Sequence, residues 1–323
     1  MIHPSAKALT RTVALTIMWA LGVHGALAQS VTALATEGDV TAVVQTPAGS
    51  FIETTRGTFR LSAGACDAGM CVKPDVIRGL APRAPEGALP DGSVATAATG
   101  DIRRAWFGRP TTRYAHGVLG DAVEAGSLIA QRADGSSVEV VLPDAQVFED
   151  ITPRLYDFGG DGRNEIVVIR ASNTGGGAVV VYGINEAGEL AIVAESAENG
   201  RPNRWLNIAG IAGDTVYFVR TPHIGGRLAT LTVTGGTVTA KDDILTGVSN
   251  HLIGSRELGL SAFLEGNAGR DLFIPTQART SLRAIGGKYN DVALPGKIDK
   301  AIIAVGNTLV TATEDGQLLV IRP

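Results

Sequence analysis

A stretch near the middle of this sequence returns, altered but recognisable, fifty residues later, and that repetition narrows the fold more than any other feature. Laying EIVVIRASNTGGGAVVVYGI (165–184) over TVYFVRTPHIGGRLATLTV (215–233) places Arg170 on Arg220, Asn173 on His223, and Gly175-Gly176 on Gly225-Gly226. Upstream of each unit an arginine precedes a leucine, in TPRL (Arg154), NRWL (Arg204) and SREL (Arg256), at spacings of 50 and 52. A module that cannot bury its apolar face alone stacks on its copies, and this period leaves a solenoid or a propeller.

The local pattern selects all-β. Apolar runs are short and broken by Gly, Asp and Asn, there are 41 glycines, and no window keeps helical periodicity for three turns. Each unit resolves into four strands: 93–98, 102–109, 127–132 and 137–142; 154–158, 165–171, 178–184 and 190–195; 207–212, 215–220, 227–233 and 237–242; 258–264, 271–275, 281–285 and 290–294. The last unit, 300–321, supplies three. A propeller removes its open sheet edge by borrowing a strand from the other chain end. The expected fold is therefore a β-propeller of about five four-stranded blades closed by an N-terminal strand, from DVTAVVQTP or GSFIETT, with six blades if residues 38–62 form a sheet of their own. The repeats occupy 93–323, and 29–92 hold N-terminal strands followed by a Pro/Gly-rich connector over 63–92.

The first 28 residues have the pattern of a secretory leader: Lys7 and Arg11, an apolar run over 12–25, and a small-x-small site at Ala26-Leu27-Ala28. The run is too short to span a bilayer, and no later run is longer, so the expectation is a periplasmic or secreted product with no membrane span after cleavage. Losing Lys7 and Arg11 takes the formal charge from −4 to −6, which excludes nucleic acid as the natural partner class. Export places Cys66 and Cys71 of CDAGMC in an oxidising compartment, where a local disulfide is expected. Two thiols without a nearby Cys or His make half a zinc site at most.

YDFGGDGRNEIVVIR (156–170) has the spacing of a calcium loop: Asp157, Asp161, the Arg163 carbonyl and Glu165, with Gly162 at the turn. Gly159 stands where a second carboxylate belongs, and Val168 where an EF-hand has its closing glutamate. The stretch resembles the D-x-D-G-D-G-x-x-D/E loop of FG-GAP or VCBS-type repeats, the calcium-loop blades of integrin-like propellers. That resemblance implies calcium between inner strands and a role in recognition or adhesion. The equivalent loops, IAGIAGDTVYFV and FLEGNAGRDLFI, keep the strand and lack most acidic ligands. Calcium affinity is accordingly expected in the weak range, about 10⁻⁴ to 10⁻³ M, or replaced by a turn in which Asp157 and Asp161 hold backbone amides.

Polar residues gather in the segments entering the inner strands: Glu149, Asp150 and Arg154; Arg201, Asn203, Arg204, Trp205 and Asn207; Asn250, His251, Arg256 and Glu257. In a propeller these rim one mouth of the ring. The recurring arginines suit either an anionic ligand or repeated clamps on blade carboxylates. Arg170 and Arg220, with Arg109 as a looser match, end second strands and are expected to clamp the opposite face. His116, in the enlarged loop TTRYAHGVLGDAVEAG, and His223 and His251 complete the candidate ligand set. No nucleophile elbow, zinc-protease helix or P-loop is present. The expected function is non-catalytic binding of a protein or glycan; the alternative is a hydrolase or lyase acting on an anionic or carbohydrate substrate.

Overall fold

In a computed structural model of the chain, which describes residues 29–266 and 269–323, antiparallel sheets follow one another in sequence order. Blade 1 consists of Val40–Thr46, Gly49–Thr54, Gly57–Ala63 and Met70–Pro74. Blade 2 is Ala95–Thr96, Ile102–Thr111, Glu124–Arg132 and Ser137–Val141. Blade 3 is Arg154–Tyr156, Glu165–Ser172, Gly176–Ile184 and Leu190–Glu195. Blade 4 is Leu206–Ala212, Thr215–Arg220, Arg227–Thr234 and Thr237–Thr246. Blade 5 is Ala262–Gly266, Gly269–Pro275, Ser281–Ile285 and Val292–Ala293. Blade 6 is Ile303–Val305, Thr308–Ala312 and Leu318–Arg322, with Ser30–Leu34 as its fourth strand.

The fold is the β-propeller read from the repeat, in the six-blade form. The borrowed strand is Ser30–Leu34, which pairs with Leu318–Arg322 from Ser30 opposite Arg322 to Leu34 opposite Leu318. The segments expected to lend it, 39–47 and 49–55, instead open blade 1, and the connector contributes that blade's fourth strand, Met70–Pro74. Cys66 and Cys71 are disulfide-bonded across the turn into this strand. The expected leader, 1–28, lies outside the described residues.

Burial follows position within a blade. Both central strands of blade 3 are buried along nearly their whole length, because each face meets a neighbouring sheet, and their sequences are accordingly continuous apolar runs. The two-residue alternation sorts them: Val167 and Ile169 join the cluster shared with blade 4, while Ile166 and Val168 join that shared with blade 2. The fourth strand of blade 4, TVTAKDDILT, is exposed almost throughout, and its lysine and aspartates keep this edge from recruiting another chain. Apolar clusters join blades 2 to 3, 3 to 4, 4 to 5, 5 to 6 and 6 to 1. Blades 2 and 3 are further linked by the short strand Gln146–Phe148, which bonds to a strand of each and merges them into one nine-stranded sheet.

The repeated glycine pair is where the chain positions its next blade. Gly176 has φ +78°, and a Cβ there would run into the carbonyls of Arg201 and Arg204 in the segment entering blade 4. Gly226 meets the Val248 carbonyl of the segment entering blade 5 in the same way. Glycine is required because backbone passes directly over backbone.

Candidate functional site

The antiparallel order puts two kinds of connection on one side of the disc, called here the upper face: those between second and third strands and those leading from one blade to the next. Loop 112–123, the turns 173–175 and 221–226, and the linkers 142–153, 196–205 and 247–261 therefore share this face. Loop 112–123 is tucked inward by Val118 and Leu119, which join the core between blades 3 and 4, and by the Gly254 amide donating to the Val118 carbonyl at 2.8 Å.

Trp205 is the hub, 2% exposed. Its indole N–H donates to the Glu149 carbonyl at 2.9 Å; its ring stacks parallel on His223 at 6.0 Å between centroids and lies 4.5 Å from that of His251. His251 Nε2 is 2.9 Å from the Ser255 carbonyl, an acceptor, so that nitrogen carries the hydrogen. His251 Nδ1 is then a lone pair, 2.8 Å from His223 Nε2, which must be the donor. The chain of bonds fixes both tautomers and leaves His223 Nδ1 as an acceptor. Burial pulls both imidazoles down to about 4, with the neighbouring His251 and His116 adding to the effect on His223.

His116 Nδ1 lies 2.5 Å from Glu149 Oε1. The Glu149 side chain is fully buried, its Oε2 has no hydrogen-bond partner among the described residues, and burial, then Asp150, pushes its carboxyl well above the usual range. Burial and then Arg204 lower the His116 imidazole. The pair is thus a carboxylic acid donating to a neutral imidazole. Glu124, also buried, is pushed up to about 10 by burial, then by Glu149 and three aspartates. Tyr114, whose hydroxyl accepts from the Asn203 amide at 3.0 Å, is raised to about 12 chiefly by burial.

Beside this cluster opens a cavity of about 140 Å³ lined by His116, Asn203, Arg204, Trp205, Thr221, His223, Ile224 and Ile253. A second, of about 380 Å³, adjoins it through Arg204, Thr221 and Ile224. The structure brings together His116, Arg204, His223 and His251 from four separate segments, and it separates off the other two arginines. Arg154 bonds to buried Asp150 at 2.5 Å, and Arg256 spans Asp91 at 2.9 Å and Asp121 at 2.6 Å. Among the described residues the Arg204 side chain bonds only to the Asn203 carbonyl, at 3.2 Å. Arg170 and Arg220 do clamp acids, Glu195 at 3.1 Å and Asp242 at 2.9 Å, but they lie on the upper face, because second strands end there.

The loop after Arg154–Tyr156 lies on the lower face and bonds to itself. Asp157 accepts from the amides of Asp161 and Gly162, each at 3.0 Å; Asp161 accepts from Arg163 at 2.9 Å and Glu165 from Phe158 at 3.1 Å. Asp214 of blade 4 takes the Gly159 amide at 3.0 Å. Burial, with the charges of Asp161, Asp157 and Asp101, raises Glu165 to about 7. No group of three or more His, Cys, Asp or Glu side chains with metal-holding geometry occurs among the described residues. The donors fit a turn closed by its own amides better than a cation cage.

No family model and no curated protein matches the chain. Among solved structures it is similar to BamB from Moraxella catarrhalis, at 13% identity over 91% of this chain and 96% of that one, with a TM-score of 0.28. It is also similar to the Nup133 β-propeller domain of Vanderwaltozyma polyspora (10% identity, 88% and 70% covered, TM-score 0.32) and to BBS1N in complex with ARL6DN (13%, 87% and 92%, 0.34). At these TM-scores the likenesses carry no argument about function.

Proposed function

We propose that this β-propeller is an exported, periplasmic or secreted protein that binds another protein, without catalysis, through the upper-face groove between blades 3 and 4. One observation carries the reading: burial shifts the histidines, Glu149, Glu124 and Tyr114 around Trp205 toward their neutral forms, while Ile224 and Ile253 stand exposed over the cavity at 59% and 69%. A general base needs a pKa near the working pH, and His223, near 4, is far below it. His116 Nδ1 accepts a hydrogen bond from the Glu149 carboxyl, so its Nε2 carries the ring hydrogen and cannot take a proton. The same burial argues against the hydrolase alternative and against a glycan, for which Trp205 offers no open ring face to stack on. The leader pattern and the Cys66–Cys71 disulfide support export. Loop 157–165 enters this reading as a turn with residual, millimolar capacity for calcium.

The test is site-specific photo-crosslinking in cells expressing the full chain. A crosslinker at Ile253 is expected to give a discrete protein adduct in the periplasm or medium, and one at Glu186, on the lower face, none. Adducts at Glu186 alone, adducts to glycan, or retention of the chain in the cytoplasm would each overturn the reading.

A further inference from the structure

The upper groove is cationic on an acidic protein. Its two adjoining cavities are lined by Arg201, Arg204 and Arg227, and by no carboxylate, although the chain carries a net charge of −4. Arg227 pairs with Asp243 at 3.3 Å; the ion pairs among the described residues include neither Arg201 nor Arg204. The contrast with the repeat is direct, because at the positions equivalent to Arg204 the same side chain is spent on a clamp, to Asp150 in one copy and to Asp91 and Asp121 in another. In the copy that carries Arg204 the arginine stands without a paired acid among the described residues.

The groove floor adds a second, independent observation. Asn203 and Thr221, which line it, have φ of +53° and +48°. For a β-branched threonine this is an outlier conformation, and such strain persists where surrounding bonds impose it, often at binding sites. Here the Asn203 amide is tied to the Tyr114 hydroxyl and the Thr221 amide to the Trp205 carbonyl at 2.9 Å. These ties hold the backbone on both sides of Arg204 in one geometry, so its guanidinium is presented by a rigid frame.

We propose that the groove takes an acidic, apolar peptide segment of the partner protein, with carboxylates on Arg201 and Arg204 and an aliphatic or aromatic side chain against Ile224 and Ile253. The proposal rests on the protein-binding reading above and adds the partner's chemistry. A guanidinium without an internal partner offers its planar fork to a carboxylate, and the isoleucines gain by leaving water. Charge complementarity also speeds encounter and suppresses basic competitors.

Selection of unmodified peptides from a random display library on the folded chain supplies the probes. Enriched sequences are expected to carry Asp or Glu within a few residues of Leu, Ile or Phe. In fluorescence anisotropy, their Asn/Gln twins and the Arg204→Gln protein should each bind about tenfold more weakly, Arg204→Glu more weakly still, and all charge-dependent binding should fall with salt. Arg204 is only partly buried and its side chain makes no ion pair among the described residues, so its variants should keep the wild-type circular dichroism. Enrichment of neutral or basic peptides, no enrichment, or twins and Arg204→Gln binding within twofold of the originals would overturn the proposal. An Ile253 adduct that persists unchanged in Arg204→Gln would do so while leaving the protein-binding reading intact.

Discussion

The two faces of blade 3 handle polar atoms in opposite ways. On the lower face, Asp157, Asp161 and Glu165 each accept backbone amides of their own loop, and the loop's sequence spacing is explained by that closure. Among the described residues of the upper face, Glu149 is buried with a bare Oε2, the His223–His251 chain ends in an unused nitrogen, and Arg204 has no paired acid. Buried polar atoms left unmatched are costly, and folds retain such costs mainly where something else uses the groups. Motif spacing pointed to the lower loop, and hydrogen-bond accounting points to the upper cluster.

The largest expected effect is at Trp205. Trp205→Ala removes a buried side chain and the donor to the Glu149 carbonyl, and should cost about 3–5 kcal/mol in denaturant unfolding. A loss near 1 kcal/mol would mean that the upper cluster is loosely packed, which would erase the contrast. Next comes pH. Glu124 is held near 10 against an ordinary 4.5, so its favourable term is complete below pH 4.5 and is lost as pH rises toward 10. His223 and His251, near 4 against 6.5, act oppositely: their term is complete above pH 6.5 and is lost as pH falls toward 4. Stability should therefore decline from pH 6.5 to 9, and Glu124→Gln should flatten that decline, gaining on wild type by up to about 1.4 kcal/mol per pH unit. Parallel curves for the two proteins would show that Glu124 is ionised when folded.

The smallest effects belong to the lower loop. Asp157→Ala should cost about 1 kcal/mol for its two amide bonds. Millimolar calcium should stabilise wild type by about 1 kcal/mol at most, and Asp157→Ala not at all. Melting with calcium and with chelator checks this: no shift removes the metal from the account, whereas a shift of several kcal/mol would make the loop a true cation site.

Much of the fold was legible because blade repetition leaves its mark on sequence. The strand spans of blades 2 to 4 follow from apolar runs, and the Gly-Gly repeat from backbone crossing. Met70–Pro74 and Gln146–Phe148 were not legible, since MCVKP and QVF are too short and too mixed to announce strands. The side on which Arg170 and Arg220 lie depends on strand parity through the sheet, which a local reading assigned wrongly. The sequence places Glu149, Trp205 and His251 at the rim and offers His116 and His223 as candidate ligands, but neutral Glu149 and the tautomer chain arise from burial contributed by four separate segments. Glu124 was missed altogether. Its one signal, an acid entering the apolar strand EAGSLIAQR, is indistinguishable in sequence from an exposed strand end.

The pairing of Ser30–Leu34 with Leu318–Arg322 has a kinetic corollary. As the chain is made, the fourth strand of blade 6 is among the first described segments to appear, and its partner is the last. Until residue 322 is available, an edge five residues long stays unmatched, and the widest loop in the molecule has yet to shut. Completion of the sixth sheet is thereby postponed until residues 318–322 have been made, so deleting them should injure both blade 6 and the distant segment Ser30–Leu34 at once.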